Sequence, residues 1–309
     1  MKRPARTTAQ TAVGRVVAAH GRHFRVELET TVENTVEGAG ATLDCVTRGK
    51  QGGIACGDRV LAAATGAGGG VIESLLPRRN LLYRSDLYRS KLLAANLDQI
   101  FIVLAAEPTP DLALLDRCLV AAEAADIPAR IVVNKTDLPG AAALLDALAG
   151  HAALGYPLIP ISAHADVSTL QTQLAGQTSI LVGASGVGKS TLVNALVPTA
   201  GIATQAISTA LDSGKHTTTH TRLHRLPGGG ALIDSPGMQE FGLKHLAASD
   251  LPHAFPEFRP RLGQCRFYNC RHLQEPGCAI LAACERGEIA PARWRVYRDL
   301  VEENERTLY

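Results

Sequence analysis

No apolar run in this chain approaches the length of a membrane span; one of the longest, QIFIVLAA at 99 to 106, stops far short of it. The N-terminal MKRPARTTAQTAVG lacks the apolar centre of a secretory signal. These two absences predict a soluble cytoplasmic protein with no membrane partner. Internal repeats and low-complexity tracts are also missing, so the 309 residues, 46% of them hydrophobic, are expected to form two or three ordinary domains. The cysteines number seven, an odd count, and four of them crowd between Cys265 and Cys284. That pattern suits a reducing compartment and a metal cluster better than a disulfide framework, and no disulfides are expected. Charge of one sign is scarce as well, with a net value of only +2. By region it divides into +4 over 1–80, −3 over 81–250 and +1 over 251–309, a small N-terminal basic excess that favours an anionic polymer as partner. Solvated surface lysine and arginine explain the same bias.

Behind a basic tail over residues 1 to about 10 come five short candidate strands: TAVGRVVAA, HFRVELET, TLDCVTR, DRVLAAA and VIESLL. In FRVELE, Phe24, Val26 and Leu28 share one face, and Arg25, Glu27 and Glu29 the other. Five such strands predict a small barrel over 1–80. An OB-fold would suit oligonucleotide binding and an SH3-like barrel would be structural; the pattern does not choose between them. From about residue 92 apolar strands alternate with helices, the signature of a parallel α/β sheet over 81–250. Residues 251–309 are rich in proline, arginine, cysteine and aromatics and end in a helical PARWRVYRDLVEENERTLY.

GASGVGKST, residues 183 to 191, contains G-x-x-x-x-G-K-[ST] between the strand TSILVGA and the helix KSTLVNALV. In this pattern the backbone N–H groups of Gly183, Ala184, Ser185, Gly186, Val187 and Gly188 cradle phosphates. Lys189 supplies positive charge, and Ser190, followed by Thr191, offers a hydroxyl to Mg²⁺. NKTD (Asn134, Lys135, Thr136, Asp137) follows another apolar strand. Its Asn amide can reach the guanine edge, its Lys stem can cover the ring, and its carboxylate can accept from guanine N1 and the exocyclic amine, which adenine cannot match. PISA brings Ser162 and Ala163 as a second base loop. DSPG places Asp234 and Gly237 as the D-x-x-G that holds Mg²⁺ and senses the γ-phosphate. In SGKHTTTHT, Thr218 is the first choice to complete the Mg²⁺ shell, with Thr217 and Thr219 behind it.

The base reader precedes the phosphate loop here, whereas in Ras-type enzymes it follows. A parallel sheet re-cut at a surface loop, with its old ends joined, keeps the same site from a shifted sequence, so a circular permutation is expected. Met238 stands where Ras-type enzymes carry the glutamine that orients the attacking water, which predicts slow unaided hydrolysis. His216 is the candidate to orient the water, with Gln239 behind it. CRFYNCRHLQEPGC gives Cys265, Cys270, His272 and Cys278, three thiolates and an imidazole for one structural Zn²⁺; Cys284 is an alternative ligand.

With these elements in this order, nearly the whole chain from about 11 to 305 resembles the ribosome small-subunit biogenesis GTPase A (RsgA) family. The resemblance implies an OB-fold, a circularly permuted P-loop GTPase domain and a small zinc-binding helical C-terminal domain. It implies GTP with Mg²⁺, GDP as product, and the small ribosomal subunit and its rRNA as partners. Hydrolysis would be stimulated by that subunit in its late maturation, with the water-positioning histidine falling on His216. A monomer is expected. A P-loop kinase or ATPase is disfavoured by NKTD, and a nonenzymatic, GTP-liganded RNA-binding module remains the alternative.

Overall fold

The computed structural model describes residues 11–29, 40–49, 52–85, 90–202, 221–238 and 241–306. The basic tail, the Thr-rich segment with His216, Thr217, Thr218 and Thr219, and Gln239 lie outside them. Five strands open the chain: β1 (Thr11–His20), β2 (His23–Leu28), β3 (Thr42–Thr47), β4 (Arg59–Gly66) and β5 (Gly69–Leu75). They pair in the order β1-β2-β3-β5-β4 and close through β1–β4, with β3 and β5 parallel. Closed five-stranded pairing of this kind is an OB-fold barrel, which settles the choice that the strand count left open. Phe24, Val26 and Leu28 point into its core beside Leu43, Val60 and Ile72.

A hairpin of β6 (Leu81–Ser85) and β7 (Ser90–Ala95) leads to β8 (Gln99–Ala105). The chain continues through α1 (Leu112–Ala124), β9 (Ala129–Asn134), α2 (Ala141–Ala147), α3 (Ala149–Ala153), β10 (Leu158–Pro160) and α4 (Ser168–Leu174). Then follow β11 (Thr178–Val182), α5 (Lys189–Leu196), β12 (Arg222–Arg225) and β13 (Ala231–Asp234). Strands β10, β9, β8, β11 and β13 lie side by side and parallel. Every residue of β8 is buried, as a central strand covered on both faces must be. Its alternate residues feed two cores: Ile100, Ile102 and Leu104 pack toward α1, and Phe101, Val103 and Ala105 toward α4 and α5. β12 runs antiparallel to β13 and also touches the barrel at Ala18–Arg222, so barrel and sheet are one continuous eleven-stranded array.

The C-terminal part adds α6 (Ala279–Glu285) and α7 (Pro291–Glu305), the latter starting on a proline whose fixed φ and missing N–H suit a first turn. Phe255, Phe258 and Tyr297 stack and meet edge-on at 4.9–5.5 Å in a core shared with α1. Beside them the buried Arg293 guanidinium donates to Glu257 Oε1 at 2.7 Å and to Asp116 Oδ1 at 3.0 Å, and Asp116 also bonds His151 Nε2 at 2.8 Å. Burial opposes the charge on Arg293, but Glu257 and Asp116 outweigh it and hold the guanidinium's pKa above its usual value. The C-terminal region is thereby bolted to α1 and α3.

Candidate guanine-nucleotide site and metal centre

Because β9, β10, β11 and β13 are parallel, the loops that leave them emerge along one edge of the sheet, where α/β folds place ligands. Those loops carry residues 134–137, 162–163, 183–190 and 234–237. Segments scattered over about a hundred positions therefore converge, whatever their order in the chain.

Direct bonds lock them together. Asn134, 1% exposed, donates from Nδ2 to Val187 O at 2.9 Å and accepts at Oδ1 from Ala163 N at 3.1 Å. Its amide braces the phosphate loop against the Ser162–Ala163 loop, a role in addition to the guanine contact expected from the sequence. Lys135, at φ +61°, donates from Nζ to Glu107 O and Gly186 O, both at 2.8 Å. Thr136 N donates to Ile161 O at 3.1 Å. Asp137 is exposed, and Ser162 Oγ donates to its Oδ1 at 2.5 Å; that bond holds the carboxyl below its usual pKa and keeps it ionised. An acceptor so fixed suits the two donors of guanine.

The phosphate loop bends from β11 into α5. Gly188 sits at φ +97°, and a Cβ there would lie 2.3 Å from Asn134 Nδ2, so only glycine fits both backbone and brace. Ala184, Ser185, Gly186 and Gly188 line the turn, Ser190 and Thr191 open α5, and Val187 is buried. Lys189 is 7% exposed and donates from Nζ to Gly183 O at 2.9 Å and Ala184 O at 2.7 Å. Burial lowers its pKa to about 8, against the opposing pull of Asp234. Asp234 ends β13 and is 1% exposed; Ser235 Oγ anchors the turn by donating to Leu181 O at 2.7 Å. Gly237 lies so close to the phosphate loop that a Cβ would meet Ser185 Cα at 3.0 Å. Met238 N donates to Gly183 O at 3.2 Å and its side chain is buried, so no polar side chain reaches the site from that position.

The second cluster is in the C-terminal region. The donor atoms of Cys265, Cys270, His272 and Cys278 all lie within 4.8 Å of one another. Cys265 Sγ and Cys278 Sγ are 3.9 Å apart, and His272 Nδ1 is 3.5 and 3.4 Å from them. A tetrahedral ion with metal–sulfur bonds of about 2.3 Å needs sulfur–sulfur edges of about 3.8 Å, so the donors fit it. Burial pushes the Cys270 thiol up to about 12 and lowers the pKa of His272, leaving a neutral imidazole and thiols that need a cation beside them to ionise. Trp294 Nε1 and Tyr297 OH, both from α7, donate to the carbonyls of His272 and Arg271 and hold the loop in place. Cys284 is outside the set, on α6.

A parallel sheet whose phosphate loop, base loops and D-x-x-G turn converge from a shifted sequence defines a circularly permuted P-loop GTPase. Comparison with known proteins makes the class specific: the model of the RsgA GTPase family matches residues 75–244, and the chain belongs to that family. It is 52% identical over 306 residues to the small ribosomal subunit biogenesis GTPase RsgA of Burkholderia pseudomallei, covering 97% of this chain and 95% of that one. The protein of the same name from Ralstonia pickettii is 49% identical, with 98% and 97% covered. The crystal structure of YjeQ from Thermotoga maritima superposes with a TM-score of 0.71 at 31% identity, over 96% of this chain and 99% of that one. YloQ, described as a circularly permuted GTPase, does so at 0.68 and 25%, over 99% of both.

Proposed function

We propose that this chain binds GTP with Mg²⁺, hydrolyses it to GDP and phosphate, and acts in late maturation of the small ribosomal subunit, which accelerates the hydrolysis. The observation that carries the reading is the bracing of base loops against the phosphate loop through Asn134 and Lys135, which sets Asp137 and Lys189 as two fixed ends of one guanine-nucleotide site. Asp137 accepts from the base, and the amides of 183–188 with Lys189 hold the phosphates. Mg²⁺ bound with the nucleotide would be held by Ser190 and Thr218 and would offset the phosphate charge. Gly237 brings the D-x-x-G turn against Ser185, so that a change at the γ-phosphate is passed to the chain beyond 238.

His216 orients the attacking water, since the buried Met238 offers no side-chain group for that task. Residues 1–80 act as an RNA-binding barrel, 81–250 as the GTPase domain and 251–309 as a domain stabilised by one structural Zn²⁺. The protein works as a cytoplasmic monomer, with rRNA as its contact on the subunit. The relatives' name, small ribosomal subunit biogenesis GTPase, supports the partner. Met238 also favours a second reading, an RNA-binding module that keeps GTP as a ligand without turnover. Single-turnover GTP hydrolysis with and without purified small subunits separates the two. A rate that rises with subunits and loses the rise in His216→Ala supports the proposal; no hydrolysis above background with subunits bound supports the module.

A further inference from the structure

Among the described residues, three large apolar side chains are exposed: Val46 on the barrel, and Phe267 and Tyr268 side by side in the loop between Cys265 and Cys270. Phe267 is 42% exposed and lies under the Arg266 guanidinium, 5.5 Å from its ring centre. Tyr268 is fully exposed. A ring left wholly in water contributes nothing to the fold, and nearby Tyr297 shows the contrast, buried with its hydroxyl bonded to Arg271 O at 2.8 Å.

The loop also carries one guanidinium with no counter-charge among the described residues. Residues 258–274 hold four arginines and no aspartate or glutamate. Arg259, Arg261 and Arg271 each pair with a carboxylate, on Glu123, Glu288 and Glu305, whereas Arg266 has no carboxylate partner among the described residues. Phe267 and Tyr268 line a cavity of about 480 Å³ together with Ser249, Pro252 and His253. Trp294 and Tyr297 of α7 hold the carbonyls of His272 and Arg271 at the end of the same loop.

We propose that Tyr268, with Phe267 and Arg266, is a stacking platform for an unpaired RNA base, the base lying on the tyrosine ring and a flanking phosphate meeting Arg266. An exposed ring two positions from an unpaired guanidinium matches the two features every single-stranded RNA carries, a π-face and a phosphate, without requiring a particular sequence. Duplex RNA offers no such face, because its bases are stacked on one another. The inference deepens the proposed subunit function by naming the kind of rRNA that this domain takes, unpaired rather than helical, and it rests on that reading.

The test uses the full chain loaded with zinc and titrates a fluorescent single-stranded RNA oligonucleotide of mixed sequence, a blunt RNA duplex and purified small subunits. Tyr268→Ala is expected to weaken single-strand binding by about 5- to 100-fold, Tyr268→Phe to keep most of it, and Arg266→Gln to lower the salt slope by about one. Zinc content and GTP hydrolysis without RNA should be unchanged in all three, since none of these side chains is a metal ligand or touches the nucleotide site. Single-strand binding unchanged in zinc-loaded Tyr268→Ala overturns the platform even if subunits still bind. Equal loss in Tyr268→Phe and Tyr268→Ala, or a preference for the duplex, overturns stacking as its basis. Wild-type protein that binds the oligonucleotide but not the subunits leaves the platform standing and removes the subunit reading.

Discussion

Gly188 offers the sharpest perturbation of the site. Gly188→Ala puts a methyl group on a backbone at φ +97°, which costs on the order of 1–3 kcal/mol for a non-glycine residue. The same methyl would fall 2.3 Å from Asn134 Nδ2, a contact no structure tolerates, so Asn134 must leave. Its departure breaks the bonds to Val187 O and Ala163 N, each contributing about 0.5–1.5 kcal/mol, and uncouples the phosphate loop from the base loops. The total is about 2–6 kcal/mol, of which roughly half depends on Asn134 being present. A double-mutant cycle read by urea unfolding without nucleotide isolates that half. In an Asn134→Ala background Gly188→Ala should cost about 1–3 kcal/mol less than in wild type, because the struck atom is gone. GDP affinity should fall at least tenfold in either single variant. Strict additivity of the two changes, within about 0.5 kcal/mol, would refute the bracing argument.

Four further outcomes follow from the same geometry. Lys189, with its pKa lowered to about 8 by burial, is charged below that pH and must take up a proton to meet phosphate above it. Phosphate raises the pKa in the complex, so GDP affinity should be full below about pH 8 and decline above it, with calorimetry recording proton uptake; affinity flat to about pH 9 would contradict this. The Ser162 bond depresses the pKa of Asp137, so base recognition should survive acid until pH falls through that lowered value. Ser162→Ala should move the acid limb of GDP binding upward, and an unmoved limb would mean that the hydroxyl does not set it. Arg293→Ala strands Glu257 and Asp116 in the interior and should cost about 3–5 kcal/mol by chemical denaturation, while a loss under about 1 kcal/mol would mean that water reaches the network. Cys270→Ala, purified without chelator, should lose its zinc, and retention of a full equivalent would put the ligand set in error.

Much of this molecule could be read from local pattern because local pattern is what builds it. The alternation in FRVELE put Phe24, Val26 and Leu28 in the barrel core, and the strand and helix flanking GASGVGKST became β11 and α5. Four cysteine-loop donors spaced within fourteen positions were visible for the same reason. What escaped is what depends on partners distant in the chain. The parallel β3–β5 pair that makes the barrel an OB-fold, and the short β12 that joins barrel to sheet, have no signature in their own residues. Arg293 reads as one more arginine on an amphipathic helix; its burial follows from Glu257 and from Asp116, the latter 177 positions away. Asn134 belongs to the same group, since its role as a brace appears only when Val187 and Ala163 arrive beside it. The Ala/Leu-rich stretch after NKTD divides at Leu148 into α2 and α3, and His151 of α3 meets Asp116.

The most direct measurement is the affinity of the nucleotide-free chain for GDP, IDP and ADP. A site in which Asp137 accepts from both guanine donors should bind GDP best. It should bind IDP, which lacks the exocyclic amine, about 10- to 100-fold more weakly, and ADP more weakly still. Asp137→Ala should erase the difference between GDP and IDP. Equal binding of GDP and ADP by the wild-type chain would contradict the claim that these permuted segments assemble a guanine-nucleotide site.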